Sequence, residues 1–145
     1  CEARGITVLD LPTAYWHELS SVIEHLPWPR SVRTLIVGGE QISRKALEAW
    51  QRVCKVELWN NYGPTECTIG ATTIEISRYE AHGRVPIGRP LPGYRAYILD
   101  SQSRPLPQGM VGELAIGGRG VARGYLGSPE LTAERFLPDP FSEDE

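Results

Sequence analysis

Apolar positions follow two different rhythms along this chain. In the first part, short apolar runs alternate with stretches in which apolar side chains recur at helical spacing. Ile6-Thr7-Val8-Leu9 is β-branched and apolar and predicts a strand. Tyr15, Leu19, Val22, Ile23 and Leu26 then recur as one face of a helix, with Thr13 as its N-cap and with Pro27 and Pro29 ending it. Thr34-Leu35-Ile36-Val37 predicts a second, buried strand closed by Gly38-Gly39. Ser43 stands where it can cap a second helix, on which Ala46, Leu47, Trp50 and Val53 share a face. Val56-Glu57-Leu58-Trp59 reads as the third strand. Strand, helix, strand, helix, strand predicts a parallel sheet with right-handed crossovers.

The second part has another texture. Ala71 to Ile76 is strand-like, and the run Val85-Pro-Ile-Gly-Arg-Pro-Leu-Pro-Gly93 excludes a helix. Tyr94–Asp100 and Val111–Gly117 predict two strands joined by a Ser/Pro/Gln/Gly turn region, with Leu114 and Ile116 on one face and Glu113 and Ala115 on the other. Glycines 117, 118, 120, 124 and 127 then punctuate the chain. The expected class is α/β: a parallel β-α-β-α-β segment over residues 1–77, then a small antiparallel, β-barrel-like subdomain over 78–145.

Composition narrows the function classes. A length of 145 residues is about one domain, and 41% hydrophobic residues is ordinary for a globular protein. A net charge of −3 offers no basic patch, which argues against a nucleic-acid partner. No apolar run approaches the roughly 20 residues that span a bilayer, so no membrane partner is expected. Cys1-Glu2-Ala3-Arg4 is neither a signal peptide nor an initiator Met, and the acidic stretch Phe141-Ser142-Glu143-Asp144-Glu145 stops in a loop, so a piece of a longer protein is expected. Cys1, Cys54 and Cys67 fit no zinc spacing, and their odd number argues against a disulfide framework, which makes a reducing cytoplasm the expected compartment. Cys54 reads as a small buried side chain. Cys67 follows Glu66 and so raises a nucleophile, but His17, His25 and His82 are scattered and none is close in sequence.

The densest chemistry lies in Asn60-Asn61-Tyr62-Gly63-Pro64-Thr65-Glu66-Cys67-Thr68-Ile69-Gly70. From Tyr62 to Glu66 the chain offers a ring to stack on a base, a Gly-Pro turn, a hydroxyl for a phosphate oxygen and a carboxylate for a magnesium ion. The plainer alternative is a tight turn with a surface acid. Gly117-Gly118-Arg119-Gly120 lacks the Gly-Lys-Ser/Thr of a P-loop, and Tyr125-Leu126-Gly127-Ser128-Pro129 replaces the helix a dinucleotide fingerprint needs, so a bulged turn is expected. Gly38-Gly39 stands at the C-terminal end of a predicted parallel strand, where open α/β sheets bind ligands and where glycine lets a flat ring approach the backbone.

Asn60 to Glu66 resembles a signature of the adenylate-forming enzymes, in the form typical of the adenylation domains of nonribosomal peptide synthetases. Gly112-Glu-Leu-Ala-Ile-Gly-Gly-Arg-Gly-Val-Ala-Arg-Gly-Tyr-Leu126 resembles a second signature, and Leu131-Thr-Ala-Glu-Arg-Phe136 a third element in the family's order. Arg89–Gly93 and Leu35–Glu40 also fit. The resemblance covers nearly the whole chain and implies part of a longer domain, with the phosphate loop, the amine-gripping aspartate, the Tyr-Arg-Thr-Gly-Asp segment and the lid with its catalytic Lys lying outside these residues. The isolated segment is therefore expected to be inactive.

The implied parent reaction joins an amino or related carboxylic acid to ATP, giving acyl-AMP and pyrophosphate. The acyl group then passes to the phosphopantetheine thiol of a carrier (thiolation) protein. By the same resemblance, Tyr62 stacks on adenine, Asn60 bonds its exocyclic amine, and the backbone of Gly39, Glu40 and Gln41 covers the other face. Thr65 bonds the α-phosphate and Glu66 holds Mg2+. Asp10, Ile36, Gly38, Asn61, Ile69 and Gly70 are implied walls of the acyl pocket. Asp10 can pair with a cationic or hydroxylated side chain, or can cap the turn before Pro12. Other classes are an acyl-CoA synthetase, disfavoured by Gly63-Pro64-Thr65-Glu66 and Ala122–Leu126, and a non-catalytic binding or scaffold segment, disfavoured by the intact Thr65-Glu66 pair.

Overall fold

The computed structural model describes residues 1–80 and 83–141, so His82 and the acidic stretch from Ser142 lie outside the described residues. β1 (Val8–Pro12) runs into α1 (Thr13–Val22), which tightens into a 3-10 turn at Ile23–His25 before Pro27. β2 (Thr34–Gly38), α2 (Arg44–Val53) and β3 (Glu57–Tyr62) follow. β1, β2 and β3 pair in parallel, Leu9 opposite Leu35 and Leu35 opposite Leu58, as the alternation of strands and helices predicts. β4 (Thr72–Glu75) and β5 (Arg89–Pro90) extend the same sheet antiparallel, in the order β1-β2-β3-β4-β5. Pairing thus crosses residue 77, and the chain changes sheets between Pro90 and Tyr94. β6 (Tyr94–Leu99) and β7 (Glu113–Gly118) form a separate two-stranded antiparallel sheet, followed by α3 (Pro129–Arg135).

Side chains alternate across a strand, and here the two faces of the five-stranded sheet have different fates. Leu35, Val37 and Leu58, joined by the partly buried Leu9 and Leu11, pack under the helices against Trp16, Ile23, Leu47 and Trp50. Trp50 touches both Trp16 and Trp28, the latter edge to face at 4.8 Å between ring centroids. On the other face Asp10, Ile36 and Trp59 stand side by side in register, with Gly38 and Asn61 the next pair along. No helix of the described residues covers that face.

The helices sit a few residues off the predicted stripes. The buried line of α1 runs through Thr13, Trp16 and Ser20, while Tyr15 and Val22 are exposed. β1 reaches Pro12, so Pro12 takes the cap position and Thr13 becomes the first helical residue, its hydroxyl buried and making no cap bond. Ser20 is tolerated inside because its Oγ donates to the Trp16 carbonyl at 2.8 Å. On α2, Leu47 and Trp50 face inward, Val53 is 45% exposed, and Cys54, just past the helix, is buried. Ser43 occupies the N-cap of α2 without a side-chain cap bond; its N–H donates instead to His17 Nε2 at 3.0 Å.

Candidate functional site

The site begins where β3 ends. Gly63 turns the chain so tightly that a Cβ there would collide with the Ile69 carbonyl and the Gly70 backbone, which explains glycine at this position. Pro64 then caps a 3-10 turn, Thr65–Cys67, closed by Cys67 N–H donating to the Pro64 carbonyl at 2.9 Å. Thr68 and Ile69 follow at φ 50° and 73°, a left-handed backbone that β-branched residues rarely adopt. Gly70 N–H donates to the Thr68 carbonyl at 3.0 Å, so Ile69 is the centre of a γ-turn of the rare positive-φ kind. Such strain costs on the order of 1–3 kcal/mol per residue and persists only where surroundings impose it. Its effect is to hold the Ile69 side chain out of the fold, 86% exposed.

Those surroundings come from the second part of the chain. Tyr94 OH donates to the Cys67 carbonyl at 2.5 Å, and Thr68 Oγ1 donates to the Gly120 carbonyl at 2.7 Å. Ala122 N–H donates to the Glu66 carbonyl at 2.7 Å, and Tyr125 OH donates to Glu66 Oε1. The Tyr125 hydroxyl is the main reason the Glu66 carboxyl is held below the usual carboxylate range, with its own backbone N–H and the Arg135 charge adding to the effect. Glu66 is thus a carboxylate at neutral pH, and the same bond pushes the Tyr125 hydroxyl up and keeps it a donor. Burial, and then the Glu66 charge, push the Cys67 thiol up, which keeps it protonated at neutral pH.

The predicted nucleotide residues gather at the C-terminal edge of β2 and β3. Asn60 is buried on the helix-facing side with Leu58, and its Nδ2 donates to the Pro86 carbonyl at 2.8 Å, while its amide oxygen makes no side-chain hydrogen bond among the described residues. Tyr62, two positions on along the same face, is exposed at the rim. Gly39 (φ 98°), Glu40 and Gln41 are exposed just beyond β2, whose last residue, Gly38, lies opposite Asn61. Thr65 is exposed beside Glu66.

Of the predicted pocket residues, Asp10, Ile36, Gly38 and Asn61 share the helix-free face, while Ile69 stands exposed in the turn after β3. Asp10 is exposed, within β1 rather than at a turn, and makes no side-chain hydrogen bond among the described residues. A Cβ at Gly38 would come 2.8 Å from the Asn61 carbonyl, so β2 and β3 can only approach this closely with glycine there. A Cβ at Gly70 would lie 3.9 Å from Asn61 Nδ2, which brings those two residues into one neighbourhood. A separate cavity of about 490 Å3 opens between α1 and α2, lined by His17, Glu24, Lys45 and Arg52 among others, and contains none of these residues.

No cluster of three His, Cys, Asp or Glu residues exists among the described residues. Magnesium does not need one: it is commonly held through one or two carboxylates plus substrate phosphates. A half-buried carboxylate with one oxygen bonded to Tyr125, and no side-chain bond to the other among the described residues, fits that requirement.

A sequence profile described as AMP-binding enzyme matches residues 1–126. The chain belongs to the AMP-binding enzyme family. Malpibaldin synthetase of Mortierella alpina is 49% identical over 144 residues, covering 98% of this chain and 3% of the relative. Tyrocidine synthase 3 of Brevibacillus parabrevis is 47% identical over 141 residues, 97% of this chain and 2% of the relative. Among solved structures, NpsA-ThdA, an artificially fused adenylation-PCP di-domain NRPS from Klebsiella oxytoca, superposes with a TM-score of 0.83 at 28% identity, covering 97% of this chain and 28% of that one. The chain therefore spans a few per cent of the curated relatives and about a quarter of that di-domain. Within the AMP-binding family it is part of an adenylation domain of the nonribosomal peptide synthetase kind, and both the expected fold class and the expected family stand.

Four residues around the Glu66 turn escaped the sequence reading. Tyr94, Tyr125, Pro86 and Arg135 all reach the site from far along the chain. Tyr125 and Arg135 carried a signal, because they lie inside the second signature, Gly112–Leu126, and the third element, Leu131–Phe136.

Proposed function

We propose that this segment supplies the nucleotide-facing turn and part of the acyl pocket of an adenylation domain. That domain would activate an amino or related carboxylic acid with ATP and load it on a carrier protein. The observation that carries this reading is the Tyr62–Glu66 turn, whose hydroxyl and ionised carboxylate are accessible at the C-terminal ends of parallel strands. Ligands of open α/β sheets bind at such ends.

In this reading Tyr62 stacks on one face of adenine, and the backbone of Gly39, Glu40 and Gln41 lies along the other. Asn60 accepts from the exocyclic amine through its amide oxygen, since its NH2 group already donates to Pro86. Thr65 donates to an α-phosphate oxygen. Glu66 holds Mg2+, which when bound neutralises phosphate charge as the substrate carboxylate attacks the α-phosphorus in line and pyrophosphate leaves. Asp10, Ile36, Gly38, Asn61, Ile69 and Gly70 would line the acyl pocket on the helix-free face, with Asp10 free to pair a cationic or hydroxylated side chain. The likeness to an adenylation-PCP di-domain supports a carrier domain as partner. In this reading the acyl group passes to the carrier's phosphopantetheine thiol rather than to coenzyme A, the remainder of the adenylation domain is the other partner, and the compartment is the cytoplasm.

The test is acid-dependent pyrophosphate exchange in an intact adenylation domain carrying this segment. Glu66→Gln is expected to lower exchange by about two to three orders of magnitude, the scale of one lost charged contact in a transition state. An exchange rate equal to the native one would remove Glu66 from the reaction. The 145 residues alone are expected to give no exchange.

A further inference from the structure

Tyr125 is held by its backbone and by its ring, and its hydroxyl is directed at the carboxylate of Glu66. Gly124 (φ 142°) places the chain so close to α3 that a Cβ there would collide with Thr132. Tyr125 N–H donates to Thr132 Oγ1 at 2.9 Å, and Thr132 Oγ1 in turn donates to the Ser128 carbonyl at 2.8 Å. The Tyr125 ring meets Phe136 edge to face at 5.3 Å between centroids. Backbone and ring are thereby fixed before the hydroxyl reaches Glu66 across 59 residues of sequence.

Among the described residues, Tyr125 is the one side chain that bonds the Glu66 carboxylate; the bonds from Tyr94, Thr68 and Ala122 go to backbone carbonyls. Bracing the turn does not require it, because Ala122 already holds the Glu66 carbonyl and Gly120 already holds Thr68. A donor on one oxygen of a metal-binding carboxylate fixes its rotamer and leaves the other oxygen facing the metal. We propose that Tyr125 is a positioning residue for magnesium: its hydroxyl fixes Glu66 through Oε1, so that Oε2 is presented to the cation. The inference rests on the reading of Glu66 as the magnesium ligand given above.

The experiment uses an intact adenylation domain carrying this segment and measures binding, not turnover. A non-hydrolysable ATP analogue is titrated calorimetrically over a magnesium series for the native domain, Tyr125→Phe, Glu66→Gln, the double variant and Thr68→Ala. Tyr125→Phe keeps the ring against Phe136 and the backbone bonds, so its melting curve is expected to stay near native. The magnesium concentration that half-saturates metal-assisted binding should rise about three- to tenfold, at or below the roughly 10–100-fold of partners that orient metal ligands, because this pair is half-exposed. Binding without magnesium should not change, and in the Glu66→Gln background the Tyr125 substitution should add nothing. Thr68→Ala breaks a brace that does not touch the carboxylate, and should lower stability without moving the magnesium dependence. Native-like magnesium dependence in Tyr125→Phe while Glu66→Gln shifts it would overturn the inference and leave the ligand assignment standing. An equal shift in Thr68→Ala would also overturn it, since bracing alone would then explain the effect. If Glu66→Gln itself leaves the magnesium dependence unmoved, the ligand assignment and the inference fall together.

Discussion

The helix-backed face of the large sheet and the Tyr62–Gly70 turn are joined through β3, yet they are built in opposite ways. Under the helices, Leu35, Val37, Leu47, Leu58, Trp16 and Trp50 are essentially fully buried in low-energy elements whose pattern is local. In the turn, Thr68 and Ile69 occupy a strained backbone, and the atoms that hold them there belong to residues 94–125. The first region carries stability and the second spends part of it to fix a carboxylate, a hydroxyl and an exposed Ile69. Strain of this kind is tolerated at functional sites because distant bonds over-determine the geometry. The lesson is that the candidate site draws on both parts of the chain, the turn from one and its braces from the other.

The largest separation of the two regions should come from Trp50→Ala. Trp50 is 1% exposed and contacts two other indoles, so its removal is expected to cost about 3–5 kcal/mol of stability in denaturant unfolding. Nucleotide affinity of the molecules that remain folded should be unchanged. A loss of affinity in the folded fraction would mean that core and turn are not separate.

Asp10→Ala tests the helix-free face. Asp10 lies in register with Ile36 and has no partner of its own among the described residues, so its removal should hardly affect stability. It should instead relax substrate preference, by about tenfold or more, from cationic or donor-rich acids toward apolar ones, the scale of one hydrogen bond to a charged group. ATP affinity should stay the same. A fall in stability with an unaltered acid profile would make Asp10 a structural residue only.

The smallest effect concerns a turn braced by its own neighbours. Asp100 Oδ1 accepts from the N–H groups of Gln102 and Arg104, at 2.8 and 3.0 Å, and Oδ2 accepts from Arg104 Nε at 2.9 Å. The Arg104 backbone N–H, then its side chain, hold the Asp100 carboxyl below the usual aspartate range. A depressed carboxyl contributes stability that is full above its unfolded pKa and is lost as pH falls through the folded one. Protection of the Gln102 and Arg104 amides from hydrogen exchange should therefore fall only on acidification below about pH 3.9, the ordinary aspartate value. In Asp100→Asn the acid dependence should vanish. A pH-independent native profile would show that the carboxylate does not hold this loop.

How far the sequence could be read follows from the same contrast. The strands, the first two helices, the parallel order of β1 to β3 and the tight turn at Gly63-Pro64 are legible because each is written within a few consecutive residues. The inward faces of the helices were misjudged where polar Thr13 and Ser20 are buried and apolar Tyr15, Val22 and Val53 are not. Continuation of β1 to Pro12 and the three-tryptophan contact, neither visible as periodicity, decide those faces. The bracing of the turn was not legible, since Tyr125 reaches Glu66 over 59 residues and Thr68 reaches Gly120 over 52. No pattern of nearest neighbours encodes such a bond; the resemblance located its two ends without joining them.

The most direct test of the central claim is a crystal structure of an intact adenylation domain carrying this segment, grown with a non-hydrolysable ATP analogue and Mn2+ in place of Mg2+, so that anomalous scattering locates the cation. The account predicts the cation bound to Glu66 Oε2 at about 2.0–2.3 Å, near the magnesium–oxygen distance, with Oε1 still accepting from Tyr125 and the base stacked on Tyr62. A cation bound by other protein groups, with Glu66 turned away from the phosphates, would contradict it.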